Sequence, residues 1–186
     1  MDDSLHNKYT IVKKIGEGAF GSVFKACLKQ DPNTLVAIKI ENKQKEITRL
    51  KHEKNVYSYF KDKLGFPYVY DFIEKEKHFI FVMEYLGPNL EELFEFCGYH
   101  FSLKTILMIA IQVLNRIETF HNSGFIHRDI KPDNFLIGIK NKKSRIYLID
   151  FGLSKKFVQN RKHISYNTDK SFTGSYRYSS IRNHKG

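Results

Sequence analysis

His127-Arg128-Asp129-Ile130-Lys131-Pro132-Asp133-Asn134, with Asp150-Phe151-Gly152 shortly after it, decides how this chain is read. Both runs place carboxylates, an amide or a lysine on irregular backbone. Short apolar segments flank them: Phe135-Leu136-Ile137 and Ile146-Tyr147-Leu148-Ile149 read as strands around the basic turn 140–145. Side chains that do chemistry are usually carried on loops held by such a scaffold. Taken singly, each residue has a plainer reading, with Asp129 a turn residue, Asn134 a cap and Asp150 a strand-end carboxylate. The turn itself reads as a solvated hairpin tip.

Composition sets the frame. With 41% hydrophobic and 27% charged residues over 186 positions, the chain can build a core as an ordinary globular protein. Cys27 and Cys97 lack CxxC spacing and read as buried free thiols in a reducing compartment. The acidic, polar start is no signal peptide, and the longest apolar run, 106–111, falls far short of the ~20 residues of a membrane span. The expectation is a monomeric intracellular protein of cytoplasm and/or nucleus, with no transmembrane segment. Lys+Arg 31 against Asp+Glu 20 gives a net charge of +11, which favours an anionic partner. The charge is scattered, without a groove-reading motif or a regular basic–aromatic interleave, so no nucleic acid is expected.

Upstream, residues 9–15 read as a strand with Ile11 and Ile15 on one face. Gly16-Glu17-Gly18-Ala19-Phe20-Gly21 follows, a G-x-G-x-x-G run. A Walker loop needs Lys-Ser/Thr after its last glycine, and here Ser22-Val23 stands instead. A dinucleotide fold needs a helix to open there, whereas Ser22-Val23-Phe24-Lys25-Ala26-Cys27 has strand character. A glycine-rich hairpin remains, either a plain surface turn or a lid whose backbone can approach a phosphate closely. Val36-Ala37-Ile38-Lys39-Ile40 is a strand with one lysine among apolar residues. Residues 44–61 read as a helix whose Ile47, Leu50, Glu53, Tyr57 and Phe60 share a face. A glutamate inside that stripe needs a partner, and Lys39 is the natural one.

Strands at 68–73 and 78–85 complete a small antiparallel lobe, and Leu86-Gly87-Pro88-Asn89 reads as the boundary between domains 1–86 and 87–186. Asn89 and Glu92 fit a capping box opening a helix at 90–96. Ser102 caps a second helix to about Phe120. Its Ile106, Leu107, Ile109, Ala110, Val113, Leu114 and Ile117 predict burial in a core. Residues 153–178 are polar, basic and without periodicity, which in so long a run means a functional or disordered segment.

The motifs resemble those of protein kinases: H-R-D-x-x-x-x-N is their catalytic loop and D-F-G their metal-binding triplet. Seven specified positions coincide by chance about once in a billion placements. Within the group the chain closely resembles the casein kinase 1 family, through Leu86-Gly87-Pro88-Asn89-Leu90-Glu91-Glu92-Leu93-Phe94, Phe101-Ser102-Leu103-Lys104-Thr105, Ile130-Lys131-Pro132-Asp133-Asn134-Phe135-Leu136-Ile137-Gly138, Lys162-His163-Ile164 and Phe172-Thr173-Gly174-Ser175-Tyr176-Arg177-Tyr178-Ser179-Ser180-Ile181.

That resemblance implies an α+β, bilobal fold. Its N-lobe is a five-stranded antiparallel sheet with helix C, and its C-lobe here is an incomplete, mainly helical one. It implies a serine/threonine kinase using ATP and Mg2+ on protein substrates with acidic or phosphorylated motifs. Asp129 would orient the attacking hydroxyl, Lys131 would reach the transferring phosphate, and Lys39, fixed by Glu53, would hold the other phosphates. Asn134 and Asp150 would be the metal ligands. The lid of Gly16, Glu17, Gly18, Ala19, Phe20 and Gly21 would cover the phosphates. Ile15, Val23, Ala37 and Leu136 match the adenine sandwich, Met83 the gatekeeper, and Glu84, Tyr85 and Leu86 the hinge. Arg177, and at a second position Arg128, Lys155 and Lys170, match anion sites for the substrate. Ser175 keeps the hydroxyl of a family threonine near the catalytic aspartate.

There are departures. His127 stands where the family often has tyrosine, Tyr176 where it has a small residue, and Arg182 where it has asparagine. Family members also continue well past position 186, with a central helix under the one at 103–120. The sequence therefore leads one to expect a fragment or a truncated relative, with an exposed apolar face on that helix. The alternative to a catalytic kinase is a truncated ATP-binding or scaffold relative that does not turn over.

Overall fold

The computed structural model describes residues 3–18, 21–43, 49–165, 167 and 170–184. Ala19 and Phe20 of the glycine run, and Ile47 of the helical stripe, lie outside the described residues. The chain divides into two compact units, residues 1–62 with 67–86, and 63–66 with 87–186.

The first unit is built on one antiparallel sheet. A short helix α1 (Asp3–Lys8) leads into β1 (Tyr9–Gly18), β2 (Gly21–Leu28) and β3 (Leu35–Asn42). Helix α2 (Arg49–Tyr57) follows and tightens into a 3-10 turn at Ser58–Phe60, before β4 (Val69–Glu74) and β5 (His78–Glu84). The strand order is β1-β2-β3-β5-β4. Alternation on β3 sorts its two faces. Val36 and Ile38 join Leu5, Tyr9, Ala26, Ile80 and Val82 in one core. On the opposite face Phe81, aligned with Lys39, packs its ring 5.4 Å from Tyr57 of α2. The stripe read from the sequence holds for Leu50, Glu53, Tyr57 and Phe60, all buried. The expected pairing of Ile11 and Ile15 on one face does not hold. Register shifts between Ile11 and Lys13 and between Lys14 and Gly16 break the alternation, and Ile15 is exposed. At the start of β2, a Cβ on Gly21 would run into the backbone of Ile40, so the pairing there requires glycine.

The second unit packs helices against two-stranded ribbons. Asn89 caps α3 (Leu90–Phe96) in a full capping box with Glu92, and Ser102 caps α4 (Leu103–Asn122). Strand β6 (Phe125–Ile126) follows, then β7 (Phe135–Ile137) paired with β8 (Ile146–Leu148). Residues 153–178, expected to lack regular structure, contain β9 (Lys155–Lys156), paired with β6, and the hairpin of β10 (Val158–Gln159) and β11 (Lys162–His163). A four-residue α5 (Ile181–His184) ends the described chain. Aromatic rings form the core: Phe120 lies 4.9 Å from Phe151, and Phe66 6.1 Å from Phe151. That contact, with the bond from Leu148 N to Gly65 O, explains why residues 63–66 belong to this unit.

Helix α4 carries the exposed apolar face that the sequence led one to expect, formed by Leu103, Ile106, Leu107, Met108, Ile111 and Leu114. It corrects the expectation that these apolar residues lie in a core: its buried residues are Arg116 and Phe120. The docking stripe, spaced by four, is Gln112, Arg116 and Phe120. Gln112 Nε2 donates to Ser144 O, its Oε1 accepts from Ile146 N, and Arg116 Nε donates to Ile146 O. The edge of β8 has backbone groups that must be satisfied, and polar side chains of α4 satisfy them. Hydropathy ranks those residues as outward-facing and so misplaces the contact face.

Candidate active site

Lys39 reaches its position because β3 alternates. With Val36 and Ile38 committed to the core, Lys39 faces α2, where i, i+3 and i+4 spacing buries Glu53 between Leu50 and Tyr57. Lys39 Nζ lies 2.7 Å from Glu53 Oε2, whose side chain is 3% exposed. An acid so buried is tolerated because it is paired. Val23 and Phe81 oppose Lys39 on the neighbouring strands, and Met83 opposes Ala37. Val23, Ala37, Lys39 and Met83 therefore share one face of the sheet. Glu84, opposite Val36, belongs to the other face, and its carboxylate accepts from Tyr68 N at 3.3 Å. Tyr85 N donates to Leu35 O, and Leu86 is buried. Gly16 pairs with Val23 and Gly18 with Gly21, while exposed Glu17 pairs with Lys14 at 2.8 Å.

One residue of this face escaped sequence reasoning. Glu41, two positions beyond Lys39 and so on its side of β3, is 6% exposed. Burial pushes its carboxyl above the usual range, while Lys39, the Leu50 and Arg49 amides and the Arg49 charge oppose that rise. A second charge at i+2 in an otherwise apolar strand was the available signal.

In the second unit the irregular backbone of 127–134 is pinned at each step. His127 is 2% exposed and packs against Phe120 and Phe151, with ring centroids 5.6 and 5.7 Å away. Its Nε2 lies 3.0 Å from Ile149 O, and its Nδ1 accepts from Asp129 N at 3.2 Å. A carbonyl can only accept and an amide N–H only donate, so the ring is neutral and carries its hydrogen on Nε2. Burial holds the His127 pKa below the ordinary imidazole value, against the Ile149 bond and the charges of Asp150 and Asp129. His127 Nε2 thus ties the 127–134 stretch to the residue before Asp150, while Nδ1 braces the stretch internally. Arg128 has φ +68 and donates Nε to Leu153 O at 2.6 Å.

Asp129 is the hub. Its Oδ1 accepts from Ser175 Oγ at 2.7 Å, and its Oδ2 takes Lys131 Nζ at 3.2 Å and Asn134 Nδ2 at 3.3 Å. Lys131 Nζ also donates to Ser175 Oγ at 3.2 Å. Burial raises the Asp129 pKa, but the bonds from Ser175 and Lys131, the Lys131 charge and the Asn134 bond outweigh it. The carboxyl is therefore held below its usual range and is ionised at neutral pH.

Asn134 Nδ2 donates to Asp129 O at 2.7 Å, which leaves its Oδ1 as the acceptor end. Asn134 O accepts from Ile149 N, next to Asp150, whose φ is +63. No group of three or more His, Cys, Asp or Glu suited to a metal occurs among the described residues. Two hard oxygen donors, one amide and one carboxylate, suit Mg2+ when phosphate oxygens supply other ligands.

The family model of the protein kinase domain matches residues 9–181. The chain belongs to the protein kinase domain family. Protein kinases work on protein substrates and use ATP and Mg2+. In this kinase domain the α+β architecture with a five-stranded antiparallel sheet stands as the sequence led one to expect. No helix among the described residues is long and apolar enough to cross a membrane.

The residues proposed for substrate anions fall into two places. Ile126 pairs with Lys155 across β6 and β9, two residues before Arg128. Arg177 instead lies over the Tyr178 ring at 5.5 Å and lines a groove of about 440 Å³ with Leu90, Phe94 and Pro132. Lys170 is exposed. Leu136 pairs with Tyr147, inside the second unit.

Proposed function

We propose that this kinase domain is a serine/threonine kinase of casein kinase 1 type, transferring the ATP γ-phosphate to hydroxyls of acidic or already phosphorylated proteins. The observation that carries this reading is Asp129, ionised and held by Ser175, Lys131 and Asn134. A carboxylate so held can accept a hydrogen bond from an incoming hydroxyl and take its proton as the oxygen–phosphorus bond forms. Lys131, beside it, would meet negative charge building on the transferred group. Lys39, fixed by Glu53, would hold the remaining phosphates, with the glycine-rich β1–β2 turn over them. Ile15, Val23, Ala37, Met83 and Leu136 would take the adenine ring, with Glu84, Tyr85 and Leu86 along its edge. Asn134 and Asp150 would hold Mg2+, which neutralises phosphate charge when bound. Arg177, Arg128, Lys155 and Lys170 would favour anionic flanks on the substrate, in line with the net charge of +11.

The test is transfer of labelled phosphate from ATP with Mg2+ to an acidic serine peptide, beside Asp129→Asn. Transfer well above the variant supports the reading. Transfer equal to the variant, with ATP still bound, would leave a nucleotide-binding relative without turnover. A peptide set in which serine, threonine and tyrosine acceptors alternate in one background checks the hydroxyl class.

A further inference from the structure

The segment that brings Ser175 to Asp129 also carries an aromatic shelf. Phe172 and Tyr176 stack with centroids 4.0 Å apart and planes 1° apart. His184 closes the group at 5.2 Å from Phe172 and 5.9 Å from Tyr176, and its Nε2 lies 3.2 Å from Tyr176 O. Tyr176 is 71% exposed, so a ring with one face on Phe172 offers the other to solvent. Phe172, Tyr176 and His184 thus form one contiguous aromatic patch rather than a scattered side chain, and it is contiguous exposed patches that mark interaction sites.

The shelf is fixed in place. Asn183 Nδ2 donates to Thr173 O at 2.8 Å and to Ser179 Oγ at 3.1 Å, and Ser179 Oγ donates to Ser175 O at 3.0 Å. At Gly174, φ is +106 and a Cβ would collide with Arg128 O, so the segment lies against the catalytic loop. Tyr176 directly follows Ser175, whose hydroxyl bonds Asp129. An extended polypeptide advances about 3.3 Å per residue, so a side chain within about three positions of an acceptor at Asp129 can reach the Tyr176 ring. Exposed Arg177 and Arg182 flank the shelf, which suits a peptide of acidic character.

We propose that the Phe172–Tyr176–His184 shelf is a specificity site that selects protein substrates carrying an aromatic side chain within three residues of the acceptor. Rings suit the site because aromatic pairs gain from stacked and edge-on contact and lose little side-chain freedom on binding. The proposal rests on the phosphotransfer reading for its kinetic arm, and a binding arm stands apart from it.

The experiment uses the full chain and acidic peptides with one serine, carrying phenylalanine or glycine at each of the three positions on either side. The expected result is one position at which phenylalanine raises kcat/KM about tenfold over glycine, mainly through KM, equivalent to ~1.4 kcal/mol. Tyr176→Ala brings that ratio close to one, and Tyr176→Phe keeps it. Tyr176→Leu retains apolar bulk and guards against a misfolded alanine variant; it too lowers the ratio. A ratio near one in the unaltered chain, or one unchanged in Tyr176→Ala and Tyr176→Leu, overturns the proposal. If the chain transfers no phosphate to any peptide, the phosphotransfer reading fails. Fluorescence polarisation with serine replaced by alanine then decides: tighter binding of the phenylalanine peptide, lost in the Tyr176 variants, supports the shelf, and equal binding overturns it.

Discussion

Replacing His127 with phenylalanine isolates what the two ring nitrogens do. Phenylalanine keeps a ring against Phe120 and Phe151, so little cavity forms. It leaves Asp129 N and Ile149 O without the partners they have at 3.2 and 3.0 Å. Two hydrogen bonds at about 1 kcal/mol each, with about 1 kcal/mol or more for a stranded buried amide, give a loss of about 3 kcal/mol. Against a typical net stability of about 5–15 kcal/mol, this is large. The loss should also depend on pH. Burial depresses the folded-state pKa of His127 below the unfolded value, so between the two the unfolded chain binds more protons. The stability contributed by neutral His127 is complete above the unfolded pKa of about 6.5 and drains away as pH falls toward the folded value. Asp150 and Asp129 face the ring and hold that folded value up, while Lys131 and burial hold it down. Urea unfolding of both proteins from pH 8 to pH 5 measures this directly, because their difference cancels the other histidines. The difference should be widest at pH 8 and narrow on acidification. A difference that stays constant across the range would refute both the tautomer and the argument from burial.

Ser175→Ala removes a hydroxyl donating to a carboxylate at 2.7 Å, a bond worth about 1.5–3 kcal/mol, so kcat should fall about ten- to a hundredfold. The same change removes a cause that lowers the Asp129 pKa, so the acid limb of the rate profile should move to higher pH. Gly65→Ala puts a methyl group where φ is +81 and the Arg116 guanidinium lies, and disturbs the Arg116–Ile146 bond; about 2–4 kcal/mol of stability should be lost, read by denaturant midpoint. Asn89→Ala breaks the capping box of α3 and should lower the midpoint by an equivalent of about 1 kcal/mol without changing the slope.

Much of this was legible in the sequence wherever a pattern is local. Alternation exposed Lys39 on its strand, three-four spacing put Glu53 in a buried stripe, and the spacing of Asn89 and Glu92 announced a cap. The Lys39–Glu53 pair followed because a buried acid must be matched. What escaped was set by long-range hydrogen bonding. Hydropathy could not show that Gln112 and Arg116 turn inward to serve the edge of β8, because the need arises in a strand 30 or more residues away. Nor could it show Glu41 buried beside Lys39, the bulges that turn Ile15 outward, or the short strands of 153–178, each only two residues long.

The hydroxyl of Ser175 comes to Asp129 from 46 residues further along the chain. The acidity of the central carboxylate is therefore not a property of its own loop alone. It reports, bond by bond, whether the later segment has arrived. A displacement of that segment by about an ångström would lengthen the bond beyond the usual 2.5–3.0 Å and raise the proton affinity of Asp129 with no helix moving. Whatever grips Tyr176 one position on, or a modification that displaces its ring, would thus speak to the Asp129 carboxylate through a single oxygen.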